Sequence, residues 1–408
     1  MHPLDNPLLD RRVVLCVSGG IAAYKSVLLL RLLIKKGASV QVAMTQSAQQ
    51  FVGPLTFGAL SGKPVFTNLF DIQQDAEIGH IRIADGADLI VVAPATANVM
   101  ARITAGMAND PVTAAVMASR APVLLAPAMN VNMWQSAAVK DNVTRLAERG
   151  MWFVGPDEGF LACKWTGAGR LSEPEDISEA AAAILAPQDL AGTHVVISAG
   201  GTQEDIDPVR FLGNRSTGKM GYALARAAAR RGAQVTLVSG PSCENVLRGV
   251  RLVSVRSASE MDGAVQQASA TADVVVMAAA VADYRPEQQA NHKLKKSSWG
   301  AEPSIVLTRT VDILASLGAS RSGRRPFLVG FAAETEAIAE AAQGKLVRKR
   351  CDMIVANDVG RSDRGLGSDN NAVELFCASG HRSFLALASK DSIAHGIFDQ
   401  VLVEMAAH

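Results

Sequence analysis

The chain has 408 residues, 49% of them apolar, with 40 Lys and Arg against 39 Asp and Glu for a formal charge of +1. That length asks for two or three cores at about 150 residues each, and the balanced charge gives no basic field for holding nucleic acid. The longest apolar runs, such as Val274 to Ala282, fall short of the roughly twenty residues of a membrane span, and the five cysteines lack the pairing or CxxC spacing of a disulfide frame or structural zinc site, so the chain reads as cytoplasmic.

In chain order, RVVLCVSGG is a continuous apolar run closed by Gly-Gly, AAYKSVLLLRLLIKKG carries a helical repeat, and SVQVAMT is a second apolar run. Short apolar runs without alternating polarity are what parallel strands look like when both faces are covered. ADLIVVAPATAN and APVLLAPAMN extend the series, which makes the fold class α/β with mainly parallel sheets. EAAAAILAPQDLAG closes a helix at Pro187, and the pattern then begins again. HVVISAGGT restates RVVLCVSGG, and ALARAAARRGAQVTLVSG restates LLLRLLIKKGASVQVAMT. Each of these helices ends on two basic residues and a Gly, which complement the helix dipole and supply a left-handed C-terminal position. The expected domains are 1–188 and 189–408.

Neither Gly-Gly turn is GxGxxG, and Thr45 and Ser239 stand where an acidic residue would hold an adenosine ribose. A nicotinamide dinucleotide is disfavoured on both counts. A mononucleotide stays open, its phosphate near Ser18, Gly19 and Gly20 at a helix start, with Thr45, Thr96 and Asn98 offering hydroxyl and amide groups beyond the strand ends. His80 of GHIRIADG, Asn130 of PAMNVNMW and Cys163 of GFLACKWTGAGRL are the candidate chemical groups of the first half. Each also has a plain structural reading, as a capping His, a turn Asn and a packed thiol. Cys163 is preferred to Cys16, Cys351 and Cys377, which lie in strand-like runs.

In the second half, GNRSTGKMG comes close to a phosphate-binding loop. Gly213, Gly218 and Lys219 keep the Walker A spacing, but Met220 occupies the position of the Mg²⁺-binding hydroxyl, and DPVRFL separates the stretch from its nearest strand. The run reads instead as the start of a helix packed closely on its sheet. Lys293 lies in the basic HKLKK, and Lys345 and Lys349 lie one helical turn apart, as a binding edge or an exposed face. Phe331 of GFAAET reads first as a core aromatic.

SGGIAAYK, His80 with ADLIVVAPATAN, PAMNVNMW and ACKWTGAGRL, in this order, resemble the flavin-dependent cysteine decarboxylases, in particular the decarboxylase half of the bifunctional coenzyme A biosynthesis proteins. DPVRFLGNRSTGKMG, AAAVADYRP, KLKK, GFAAET and ANDV resemble the ligase half, so the likeness covers nearly the whole chain. It implies a flavodoxin-like flavoprotein domain followed by a ribokinase/Rossmann-like ligase domain. The implied chemistry joins 4'-phosphopantothenate to cysteine with CTP and Mg²⁺ through an acyl-cytidylate, then decarboxylates the product with FMN to 4'-phosphopantetheine. FMN is needed because loss of carbon dioxide from a cysteine amide leaves a carbanion without an electron sink until the thiol is oxidised. The resemblance implies His80 as base or polarising group, Asn130 on the substrate carboxylate, and Cys163 as proton donor. Asn214 is implied to act on the acyl-cytidylate, and Arg210 and Lys219 to hold anionic substrate. Met277, Ala278, Ala279, Asp283, Lys293, Asp312, Ile313, Leu314, Ala315, Phe331, Lys345 and Lys349 would contact CTP. Trimeric packing of decarboxylase units and dimeric packing of ligase units, and so a dodecamer, are implied as well. Lys164-Trp165 departs from the family's usual Gly and polar residue after the thiol.

Overall fold

The computed structural model describes residues 2–69, 83–160, 165–246, 248–295, 304–321, 323–334, 338–358 and 367–407. The chain divides into two compact units, Asn6–Ala186 and Pro187–His408, the second also taking the leading residues through Asp5. That assignment of the first residues differs from the expected 1–188 unit. His2 is the reason: its backbone N–H donates to Ser392 Oγ at 2.9 Å, its Nε2 lies 2.7 Å from Asp399 Oδ2, and its ring stacks on His395 at 5.4 Å.

The first unit is built on a parallel sheet of β1 (Arg12–Val17), β2 (Ser39–Met44), β3 (Leu89–Ala95), β4 (Val123–Pro127) and β5 (Trp152–Phe153), in the order β2-β1-β3-β4-β5. Val13, Leu15 and Val17 face a cluster with Leu29, Leu33 and Ile177, while Val14 and Cys16 face a second cluster with Val99, Val112 and Leu146. Successive side chains of a strand point to opposite faces, and here both faces are covered by helices, which is why the strands read as unbroken apolar runs. A small antiparallel hairpin, β6 (Asp157–Phe160) with β7 (Thr166–Arg170), follows.

The second unit's main sheet runs β12-β11-β8-β13-β16-β17-β18-β19, from β8 (His194–Ala199), β11 (Gln234–Ser239), β12 (Arg251–Ser254), β13 (Val274–Met277), β16 (Phe327–Glu334), β17 (Met353–Asp358), β18 (Asn370–Cys377) and β19 (Arg382–Ser389). All are parallel except β18 and β19, which pair antiparallel. Two smaller hairpins, β9 (Gln203–Asp205) with β10 (Phe211–Gly213) and β14 (Tyr284–Pro286) with β15 (Leu307–Arg309), lie off this sheet. The basic helix ends behave as read: Gly37 and Gly232 take left-handed φ of 82° and 87° after Lys35-Lys36 and Arg230-Arg231. Gly221 sits where the helix Lys219–Arg230 crosses β8, and a Cβ there would lie 2.5 Å from Ala199 Cβ. Only a glycine allows that approach, the close packing expected of the Gly-Lys-Met-Gly run.

Candidate functional site

In the first sheet the strand order reverses between β1 and β3, and in open α/β sheets ligands bind at the carboxyl ends of the strands flanking such a switch point. Ser18, Gly19 and Gly20 follow β1 and Thr96 follows β3, so the sequence-read cradle lies there. Ser18 Oγ donates to Pro94 O at 2.7 Å and lies 3.1 Å from Thr96 Oγ1, tying the two loops together. A Cβ on Gly19 would come within 2.4 Å of Ser47 Cβ, so the backbone approaches to a distance no other residue permits. Thr45 Oγ1 accepts from Ala48 N at 3.1 Å and shapes the same loop. Thr96 caps the helix Ala97–Thr104, with Asn98 in its first turn. This is a crevice of backbone amides and hydroxyls, suited to a phosphorylated mononucleotide such as FMN.

Asn130 ends β4 and caps the helix Val131–Gln135, its Oδ1 accepting from Asn132 N at 2.8 Å. The β6–β7 hairpin packs on this segment: Met129 N donates to Gly169 O at 2.9 Å, and a Cβ on Gly169 would sit 2.3 Å from Met129 O. Cys163 falls between the two strands of that hairpin and His80 between α/β elements of the same unit, and both lie outside the described residues, as does Lys164. Of the other cysteines, burial pushes the Cys351 thiol up to about 11 and Cys377 to about 12, and raises Cys16 further. A thiol held that far from ionisation is a packing group.

In the second unit a cavity of about 770 Å³ opens at the carboxyl ends of β8, β13, β16 and β17. It brings together Asn214, Lys219, Met277, Ala278, Ala279, Asp283, Asp312, Ile313, Leu314, Phe331, Lys345 and Lys349. Asn214 Nδ2 donates to Ala280 O and Val281 O, each at 3.2 Å, bridging the loops after β8 and β13. Asp312 caps the helix Ile313–Ser320 through Ala315 N at 3.1 Å and pairs with Lys349 at 3.2 Å. Lys345 lies in the helix Ile338–Arg348 with Lys349 just past its end, so the pair faces the cavity and not solvent.

Three sequence-read residues do not line this cavity. Ala315 serves it only through the cap of Asp312. Lys293 is exposed in the loop beyond it. Arg210 lies off the cavity: its guanidinium holds the buried side chain of Asp207, keeping that carboxyl well below its usual range, and donates to Leu294 O at 2.7 Å.

The family described as Flavoprotein matches residues 3–186, and the DNA/pantothenate metabolism flavoprotein C-terminal domain matches 190–405. The coenzyme A biosynthesis bifunctional protein CoaBC of Bacillus subtilis (strain 168) is 47% identical over 398 residues, 97% of each chain. That of Escherichia coli (strain K12) is 44% identical over 397 residues, again 97% of each. The chain belongs to the family of bifunctional coenzyme A biosynthesis proteins. A solved C-terminal domain of a CoaBC protein is 40% identical, covering 54% of this chain and 100% of that one with a TM-score of 0.47. Like its family, the chain is a bifunctional enzyme of coenzyme A biosynthesis with ligase and decarboxylase activities. No helix among the described residues is long and apolar enough to cross a membrane.

The cavity also has walls that sequence reading missed: Asn357, Asn371, Lys390, Arg309 and Thr310. Most are ordinary residues at strand ends, visible only once the sheet order is known. Lys390 alone carried a signal. It directly follows Ser389, which caps the helix Lys390–Ala406, so it is a cation in a first helical turn, where the dipole disfavours one.

Proposed function

We propose that residues 189–408 carry the ligase and residues 1–188 the decarboxylase, acting in that order to turn 4'-phosphopantothenate, cysteine and CTP into 4'-phosphopantetheine. One observation supports this most directly: a single cavity gathers Asn214, Phe331 and four lysines at the carboxyl edge of the second sheet. A carboxylate resists amines because it is anionic and lacks a leaving group. Attack of the phosphopantothenate carboxylate on the α-phosphate of CTP, with loss of pyrophosphate, supplies one as CMP. Lys345 and Lys349 are the cations for the nucleotide phosphates, with Mg²⁺ arriving on the triphosphate near Asp283, and Met277 to Ala279 and Phe331 form the wall for the base. Asn214 directs its amide protons to Ala280 O and Val281 O, so the group it offers the reaction is Oδ1, an acceptor for the N–H of the incoming cysteine.

In the first unit Ser18, Gly19, Gly20, Thr45, Thr96 and Asn98 would hold FMN, which when bound supplies a reversible two-electron acceptor. Asn130, its Oδ1 committed to Asn132 N, orients Nδ2 toward the substrate carboxylate, His80 takes the proton from the substrate and Cys163 returns one at the end. Oligomeric packing, with trimeric decarboxylase and dimeric ligase contacts, and a cytoplasmic setting complete the reading.

The deciding experiment incubates the protein with phosphopantothenate, CTP, cysteine and Mg²⁺ and looks for phosphopantetheine by mass spectrometry, alongside pyrophosphate release that requires both phosphopantothenate and CTP. Asn214→Asp removes the two contacts across the switch point and sets an anion beside the acyl phosphate, so pyrophosphate release persists while the acyl-cytidylate accumulates. Cys163→Ser halts the second reaction before its last proton transfer. Normal turnover in either variant refutes the role given to that residue, and protein that takes up no flavin refutes the decarboxylase assignment.

A further inference from the structure

The cradle at Ser18 to Gly20 and Asn130 at the end of β4 are far apart in sequence, yet a ligand that spans them needs a fixed distance between them. The helix Ala23–Lys35 follows the cradle directly, with Ala23 N donating to Gly20 O at 3.0 Å. Ser26 Oγ fixes that helix on the sheet by donating to Ala93 O at 2.6 Å. The segment at Asn130 is held by β7, through Met129 N to Gly169 O at 2.9 Å. A Cβ on Gly167 would lie 2.8 Å from Val131 Cγ2, and one on Gly169 would lie 2.3 Å from Met129 O and 3.5 Å from Asn130 C. β7 therefore rests directly against the backbone that carries Asn130.

One cluster of charges joins these parts. Lys25, in the first turn of the helix and 7% exposed, donates to Leu171 O at 3.2 Å and to Glu173 Oε1 at 3.0 Å. Arg170, the last residue of β7, donates to the same Glu173 oxygen. Ser172 Oγ donates to Asp157 Oδ1 at 2.8 Å, which closes the open end of the β6–β7 hairpin. Packing alone does not call for a lysine here, because a cation in a first helical turn opposes the dipole and burial strips its water. Glu173 departs from its position in the same way. It stands at the N-cap of the helix Pro174–Leu185, yet its side chain makes no capping bond, and its Oε1 takes the two cations instead.

We infer that Lys25, Glu173 and Arg170 are positioning residues for decarboxylation, which seat the β6–β7 hairpin against residues 129–131 and so hold Asn130 at its distance from the cradle. The inference rests on the reading of the first unit as the decarboxylase, with Asn130 on the substrate carboxylate. The three residues act through β7 and Asn130. Without the cluster the hairpin still forms, because its strands pair with each other, but it is seated for a smaller fraction of the time. Substrate that binds only the seated form then shows an affinity lowered by that fraction, and saturating substrate restores the seated form. The cluster therefore governs KM and leaves kcat.

The test uses the full chain with Lys25→Met and Glu173→Gln, and supplies 4'-phosphopantothenoylcysteine directly so that the ligase is bypassed. In Lys25→Met the KM for this substrate rises about tenfold while kcat stays within about twofold. Flavin content as purified and phosphopantothenate-dependent pyrophosphate release match wild type. Glu173→Gln keeps an acceptor for Lys25 and loses the charge, so its KM rises about threefold. In an Asn130→Ala background Lys25→Met adds less than about twofold to KM, since the residue through which it acts is already gone. Hydrogen exchange reads the seating without turnover: in Lys25→Met the peptides covering Met129 and Thr166–Arg170 exchange about tenfold faster, and Ala23–Lys35 exchanges as in wild type. An unchanged KM in Lys25→Met overturns the inference, as does an undiminished rise in the Asn130→Ala background. Flavin lost in parallel with activity also overturns it, because the cluster then stabilises the fold alone. Wild type that holds flavin yet does not decarboxylate fails the decarboxylase reading itself; faster exchange at Met129 then still upholds the seating, and unchanged exchange overturns it.

Discussion

Both sheets open with a strand, a Gly-Gly turn, a helix and a second strand, and both reverse strand order beside that turn, between β1 and β3 and between β8 and β13. The sites built there differ in kind. The first is a narrow cradle of glycine amides and hydroxyls, and the second is a broad cavity lined by four lysines. In the first unit the helix Ala23–Lys35 begins almost at once after Gly20, so its N-terminus stays at the turn. In the second, the β9–β10 hairpin and residues 214–217 intervene before the helix Lys219–Arg230, which opens room between strand and helix and lets Asn214 and Lys219 reach it. The fold chooses the place, and the length of one connection chooses the chemistry.

Glycine substitutions break the comparison most sharply. In Gly19→Val the new side chain meets Ser47, including its backbone carbon at 2.8 Å, and neither strand-end loop can retreat without breaking the Ser18 bonds. Flavin affinity falls about a hundredfold or more, the protein is colourless as purified, and phosphopantothenate-dependent pyrophosphate release is retained. Gly221→Leu is the counterpart: it drives the helix start off Ala199, lowers kcat/KM for pyrophosphate release about tenfold, and leaves the flavin in place. If either variant damages both activities equally, the two switch points do not act as separate sites.

Ser18→Ala has a smaller effect. It leaves Pro94 O, in a buried setting, without its 2.7 Å donor, at a cost of about 1–2 kcal/mol. Flavin dissociation titrated by absorbance shifts by about tenfold, and Ser18→Thr keeps most of the affinity. Equal affinity in Ser18→Ala would leave the cradle to backbone amides alone.

These particular residues also show what was legible in the amino-acid order. Glycine turns, apolar runs and capped helix starts are local, so β1, β8, the helices after them and the cradle at Ser18 could be read directly. The wall of the cavity around Met277, Phe331 and Lys345 came from resemblance, because nothing in their spacing says that their strands are neighbours. The pairing of Arg210 with Asp207 was not legible, because charge and position say nothing of a partner three residues away. The antiparallel β18 and β19 were not foreseen, and with them went Asn371 and Lys390, which reach the cavity only because this pair begins and ends at the rim where the parallel strands stop.

The comparison extends to stability. Among the described residues, the buried polar groups of the first unit are hydroxyls, Asp110 and Lys25, the last donating to Leu171 O at 3.2 Å and Glu173 at 3.0 Å. The second unit buries His395 completely, and among the described residues neither ring nitrogen has a hydrogen-bond partner. Burial, and then the nearby charges of Arg230, His2 and Arg231, lower its pKa from about 6.5 to about 4. Between those values the unfolded chain takes up a proton that the folded core refuses. Stability is therefore full above pH 6.5, declines as pH falls toward 4 with a slope of at most about 1.4 kcal/mol per pH unit from this one group, and levels off below. His395→Phe keeps the ring and removes that slope, which makes the variant the more stable form near pH 4.5 relative to wild type than at pH 7.5. Urea midpoints read separately for the two units by peptide-resolved hydrogen exchange check it: the difference between wild type and variant grows on acidification over Lys390–Ala406 and stays flat over Ala23–Lys35. A difference that does not change with pH over Lys390–Ala406 means that this histidine is solvated on unfolding and in the core alike.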